Sequence, residues 1–137
     1  MKKTIFFCFV ATLFIAGISS CSKTSTPNPN AQFLGTYVGA GTFTIAGGSP
    51  YAYNDTFIIT ATPSNSSGII ISGTSSNSYY LSATVSGNSY TLTPNQSYLN
   101  GLTISSGSGT LSGNSLSYNY IGITSGSAFA LVATDTK

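Results

Sequence analysis

Side chains able to do chemistry are scarce in this 137-residue chain. It holds two acidic residues, Asp55 and Asp135, four lysines and no histidine, and neither Glu nor Arg occurs. Of its two cysteines, Cys8 lies within an apolar run and Cys21 follows Ile18-Ser19-Ser20. An enzyme site needs a nucleophile with a base, paired carboxylates or metal ligands. A glycosidase-type pair requires Asp55 and Asp135 to meet, and Asp135 sits so near the last residue that they are not expected to. A Ser-Lys dyad would have to draw on Lys23 or Lys137, both near the ends of the mature chain. Asp55 alone is thin support for calcium, which takes about six to eight oxygens; its plain reading is a turn or strand-start residue. The expectation is therefore no catalysis, no metal and no cofactor.

The segment ahead of Cys21 explains why that cysteine has a chemical role. Lys2-Lys3 is followed by an apolar run from Ile5 to Ile18, interrupted by Thr12 and softened by Gly17. A membrane-spanning helix needs about 20 apolar residues, so this shorter run suits the apolar region of a signal peptide. Ile18-Ser19-Ser20-Cys21 resembles a bacterial lipobox: a branched apolar residue, two small ones, then the cysteine that becomes the lipidated N-terminus. The resemblance implies that residues 1–20 are removed and that Cys21 carries several acyl chains, palmitate among them; a single chain holds a protein only marginally. The alternative is ordinary cleavage after Ser20, leaving Cys21 a free thiol. Residues 21–33 then form the lipidated N-terminus and a tether. Ser22–Gln32 has no aliphatic residue larger than Ala31 and carries Pro27 and Pro29, and a flexible chain of that length spans about 17–20 Å. Ser22 in place of Asp resembles an outer-membrane destination. The lack of acidic residues just after Cys21 points to the periplasm-facing leaflet.

Removing residues 1–20 also removes the apparent basic balance. Lys23 and Lys137 then face Asp55 and Asp135, and the mature side chains sum to zero formal charge. Nucleic-acid binding draws on neutralising phosphates, so no such partner is expected. The membrane, through the anchor, is.

From Leu34 onward the pattern is that of strands. Thr84-Val85-Ser86-Gly87-Asn88-Ser89-Tyr90-Thr91-Leu92 recurs as Thr110-Leu111-Ser112-Gly113-Asn114-Ser115-Leu116-Ser117-Tyr118. In each copy Gly-Asn separates two β-prone runs at the length of a two-residue hairpin loop. Strands are predicted near residues 35–45, 53–61, 68–73, 78–86, 89–93, 102–111, 115–121 and 128–134. Breakers such as Gly47-Gly48-Ser49-Pro50, Pro63-Ser64-Asn65-Ser66, Pro94-Asn95 and Ser125-Gly126 separate them, and no window shows a capped helical stripe. Leu81, Ala83 and Val85 share one face, as do Tyr90 and Leu92, and Leu116, Tyr118 and Tyr120; this is the one-face-buried alternation of antiparallel sheets. The reading is an all-β, antiparallel up-and-down meander of about eight strands over 34–137, most simply a closed or nearly closed barrel, with a β-sandwich as the alternative. Closure would remove strand edges that almost no charge protects. Gly35, Gly39 and Gly41 would permit the coiling that a small barrel requires.

Phe33-Leu34-Gly35-Thr36-Tyr37 is similar to the Gly-x-Trp opening of lipocalin-like (calycin-like) barrels, with Tyr37 where the Trp would stand. The run Ser-Gly-Thr-Leu-Ser-Gly-Asn-Ser-Leu at 108–116 resembles small Bacteroidetes-type lipoproteins with such domains. The resemblance implies an up-and-down barrel and a small apolar ligand. Thirteen aromatic residues follow Cys21, and a tyrosine offers an apolar ring with one hydroxyl. Tyr37, Leu81, Tyr90, Tyr118 and Tyr120 are the candidate ligand-binding residues. The competing reading has the inward tyrosines filling the core. Two functions stay open: a membrane-anchored, non-catalytic module binding a small apolar or glycan ligand, or an envelope interaction protein that engages a protein partner through its surface or a strand edge.

Overall fold

The computed structural model describes residues 28–74 and 79–137. The segment read as a signal, Cys21, Lys23 and most of the stretch read as a tether lie outside the described residues. Nine strands follow a short 3-10 turn at Ala31–Phe33: β1 (Gly35–Ile45), β2 (Tyr51–Ala61), β3 (Gly68–Gly73), β4 (Tyr80–Ser86), β5 (Ser89–Leu92), β6 (Gln96–Ser97), β7 (Thr103–Ser112), β8 (Ser115–Thr124) and β9 (Ser127–Thr136). All neighbours pair antiparallel.

Two pairings decide barrel over sandwich. β9 returns to β1, from Val38↔Thr136 to Ile45↔Phe129. β5 pairs with β7 at Ser89↔Thr110, Tyr90↔Gly109 and Thr91↔Ser108. Eight strands thus close on themselves, and only the two-residue β6 stands outside the ring, laid on β7. The repeated sequence forms the β4–β5 and β7–β8 hairpins, which meet along β5–β7. Closure removes the free strand edge that an edge-pairing partner would need.

The hairpin turns follow from their residues. Gly87 and Gly113, at the first loop position, take φ values of +58° and +60°, where a side chain would meet its own backbone. In the β8–β9 hairpin both loop residues, Ser125 and Gly126, have positive φ. β6 was not legible in the sequence because it follows Pro94 and Asn95, the latter at φ +58°. Its pairing is held by a side chain: Gln96 accepts from the Ser82 N–H at 2.6 Å and donates to the carbonyls of Ser82 and Thr93.

Alternation puts the expected residues inside. Leu81, Ala83, Val85, Tyr90, Leu92, Leu116, Tyr118 and Tyr120 are all buried. The glycines of β1 also make room inside the barrel. Only Gly35 has positive φ; Gly39 and Gly41 face inward and leave space. A Cβ on Gly41 would lie 2.5 Å from the Cβ of Ala133 and 2.8 Å from the Tyr53 ring. The same device recurs on β7, where a Cβ at Gly107 would overlap the Tyr120 ring and one at Gly109 the Tyr90 ring. Rings lie across glycines, so the middle of the lumen is filled by side chains, as a small barrel allows.

Candidate functional site

The two ends of the barrel differ. At one end the 3-10 turn inserts Phe33, fully buried, edge-on to Tyr90 at 5.9 Å between centroids. The Tyr37 hydroxyl donates to the Phe33 carbonyl at 3.0 Å, and the Asn30 amide donates to the Gly68 carbonyl at 2.9 Å. The Lys137 ammonium donates to the Gln32 carbonyl at 3.2 Å across the outside of this plug.

At the other end a second 3-10 turn, Leu99–Gly101, folds over the mouth after β6. Here lies a cavity of about 220 Å3, walled by four rings, Phe43, Tyr51, Tyr53 and Tyr98, and three leucines, Leu99, Leu102 and Leu131. Tyr98 packs on Tyr79 with centroids 4.4 Å apart.

Strand register builds the floor of this end. Gly41 pairs with Tyr53 on one side and Ala133 on the other; one layer deeper, Gly39 pairs with Asp55 and Asp135. The missing side chain on Gly39 lets the two carboxylates flank it. Tyr118, inward from β8, reaches both: its hydroxyl lies 3.3 Å from Asp55 Oδ2 and 3.5 Å from Asp135 Oδ2. The Tyr53 hydroxyl lies 3.2 Å from that of Tyr118, so a chain of hydroxyls connects the cavity wall with the carboxylates. Asp55 also accepts from the Thr56 N–H at 2.8 Å. Asp135 is fully buried, and its Oδ1 has no hydrogen-bond partner.

This corrects the expectation that the aspartates stay apart. Asp135 is no loose terminal residue; it is paired on one side with Gly39 and on the other with Leu116. Burial raises the pKa of both groups, because removing a carboxylate from water disfavours its charge. Asp135 is pushed up to about 6, by burial first and by the charge of Asp55 second, with the Tyr118 hydroxyl acting in the opposite direction. Asp55 is raised by burial, while the Thr56 N–H and the Tyr118 and Tyr79 hydroxyls pull it back. The Tyr118 phenol is raised well beyond its usual range, chiefly by burial and then by the neighbouring Tyr53.

The five candidate residues all point into the barrel and are buried, and none lines the mouth cavity. Tyr37 braces the plug and stacks on Phe57 at 5.5 Å. Leu81 packs in the core. Tyr90 and Tyr120 join their hydroxyls at 2.5 Å. Tyr118 alone reaches the carboxylates. The sequence reading passed over Phe43, Tyr53 and Tyr98, and it weighed Asp135 only to set it aside. Tyr51-x-Tyr53-x-Asp55 did carry a signal, because alternation puts all three on one strand face.

In comparisons with known proteins, no protein-family model and no curated protein matches the chain. The closed antiparallel barrel is the architecture that the lipocalin-like resemblance implied.

Proposed function

We propose that the chain is a membrane-anchored, non-catalytic binding module that takes a small ligand with an apolar body at the barrel mouth. The observation that carries this reading is the cavity of rings and leucines at the end opposite the plug. Concave, mostly apolar sites with a few polar groups are where small ligands bind. The lipobox-like Ile18-Ser19-Ser20-Cys21 supports the anchor, in an outer membrane and facing the periplasm. Described residues begin at Asn28, which belongs to the plugged end.

Two measurements test the two halves. Intact-mass analysis of the envelope fraction is expected to show loss of residues 1–20 and acylation at Cys21; a soluble, unmodified chain defeats the anchor. For the mouth, Leu102→Trp fills the cavity. The wild type is expected to gain thermal stability with an apolar probe such as 2-phenylethanol, by mass action on the folded state, and the variant to gain none. Equal responses remove the mouth as the site.

One observation favours the second reading, a protein partner on the barrel wall. Ile121, Ile123 and Val132 are each about half exposed on the outer face of β8 and β9, beside a groove of about 390 Å3 that includes Ala128 and Ala130. A stoichiometric partner that is lost with Ile121→Lys supports it; purification of the native lipoprotein without one removes it.

A further inference from the structure

The chain's only two acidic side chains, 80 positions apart, meet inside a barrel. No cation accompanies them there among the described residues, where the one lysine, Lys137, holds its ammonium on the Gln32 carbonyl at the plugged end. Hydroxyls supply only part of what the pair needs. Tyr79 and Tyr118 both serve Asp55, Tyr118 also lies within reach of Asp135 Oδ2, and Tyr53 can give its proton to Tyr118. Asp135 Oδ1 is left without a donor. It occupies the place beside Gly39 that a Cβ there would take.

A buried, unpartnered carboxylate oxygen is costly, and the surroundings indicate what would satisfy it. A divalent metal fits poorly: calcium takes about six to eight oxygens, and no group of three or more acidic, thiol or imidazole side chains occurs among the described residues. An ammonium fits better. It carries three donors, enough for Asp135 Oδ1, Asp55 Oδ2 and a phenol oxygen. The way in is also suited to a cation. Tyr53 and Tyr98 wall the mouth cavity, and both lie near enough to Asp55 to feel its charge; aromatic faces attract cations. Phe43, Leu102 and Leu131 are left for an apolar body.

Resting on the reading of the mouth as a binding site, we infer that the ligand is a primary amine on an apolar aryl or alkyl body, its ammonium held by Asp55 and Asp135 and its body in the mouth cavity. Tyr118 and Tyr53 turn aside as the ammonium enters. The same two charges turn away carboxylates, fatty acids included.

The test uses the acylated full-length lipoprotein in nanodiscs of zwitterionic lipid, with empty nanodiscs subtracted. Calorimetry at pH 8 compares 2-phenylethylamine, 2-phenylethanol and 3-phenylpropionate, which share a ring and differ in the head group. The amine is expected to bind at least tenfold more tightly than the alcohol, and the carboxylate not at all. Asp55→Asn and Asp135→Asn keep the shape and remove one charge each; each is expected to weaken the amine about tenfold and leave the alcohol unchanged. Should either variant fail to fold, the wild type still decides, since amine binding must weaken from pH 8 to pH 5 as Asp135 takes up a proton while alcohol binding stays level. Equal affinity for amine and alcohol overturns the inference. Alcohol binding that Leu102→Trp abolishes keeps the mouth site even then, and binding of neither compound overturns both.

Discussion

At one end of the barrel Phe33 and Tyr37 close the lumen; the Tyr37 hydroxyl and the Asn30 amide N–H bond to backbone carbonyls, while Asn30 Oδ1 is left without a donor. At the other, rings and leucines of similar type enclose a cavity, and the layer beneath it holds two carboxylates and an oxygen without a donor. The difference lies less in residue type than in what each layer is backed by. Beside the plug, β1 presents Tyr37 stacked on Phe57; toward the mouth it presents Gly39 and Gly41, and the space they leave admits polar groups from β2 and β9. Each end buries an oxygen without a donor, but only the mouth end buries carboxylates. Polar groups held inside at an energetic cost mark the places where a fold has been bent to a task.

The largest effect is expected at the plug. Phe33→Ala removes a fully buried ring and should cost about 3–5 kcal/mol by urea denaturation. Tyr98→Ala at the mouth removes a ring that is only partly buried and should cost roughly 1–2 kcal/mol. Equal losses would erase the contrast between the ends.

The carboxylate layer should respond with the opposite sign. Asp135 titrates near 6 in the folded chain against an ordinary value of 3.8, so between those pH values the folded state holds more protons than the unfolded one. Stability therefore falls as pH rises from about 4 to about 6 and levels off above that. Asp135→Asn is expected to flatten this profile and to raise stability at pH 8 by roughly 1–3 kcal/mol. A chain that instead loses stability below pH 5, or a variant weaker than wild type at pH 8, would show the pair to be well compensated.

Smaller effects sharpen the same comparison. Tyr37→Phe leaves the Phe33 carbonyl without its hydroxyl donor and should cost about 1 kcal/mol in thermal or urea unfolding. Tyr51→Ser, on the rim and more than half exposed, should move stability by no more than about 0.5 kcal/mol while weakening the binding of apolar probes. A large loss of stability there would make the rim part of the core.

Much of the barrel was legible because strand signals are local. The span Gly68–Gly73 and the start of β1 at Gly35 follow from breakers on either side, and Leu81-x-Ala83-x-Val85 declares its buried face by period alone. β6 was not legible, since two residues have no period and its hold comes from the Gln96 side chain. The site was half legible. Tyr118 could be named from alternation, yet Tyr98 and Leu102 belong to a loop whose placement over the mouth no spacing encodes.

What the sequence by itself determined is the strand class, the inward faces, the Gly-Asn turns and the shortage of chemical groups, because each depends on residues a few positions apart. The lipobox-like segment is of the same local kind. Only the tertiary structure decided that β9 closes on β1, and with it that Asp135 comes to lie across Gly39 from Asp55. Register between strands far apart in the chain sets which inward positions share a layer. A shift of two residues in β9 would keep every hydrophobic face inside and separate the carboxylates. The chain thus carries its two negative charges to one interior layer for a reason that lies in pairing, and composition alone does not contain it.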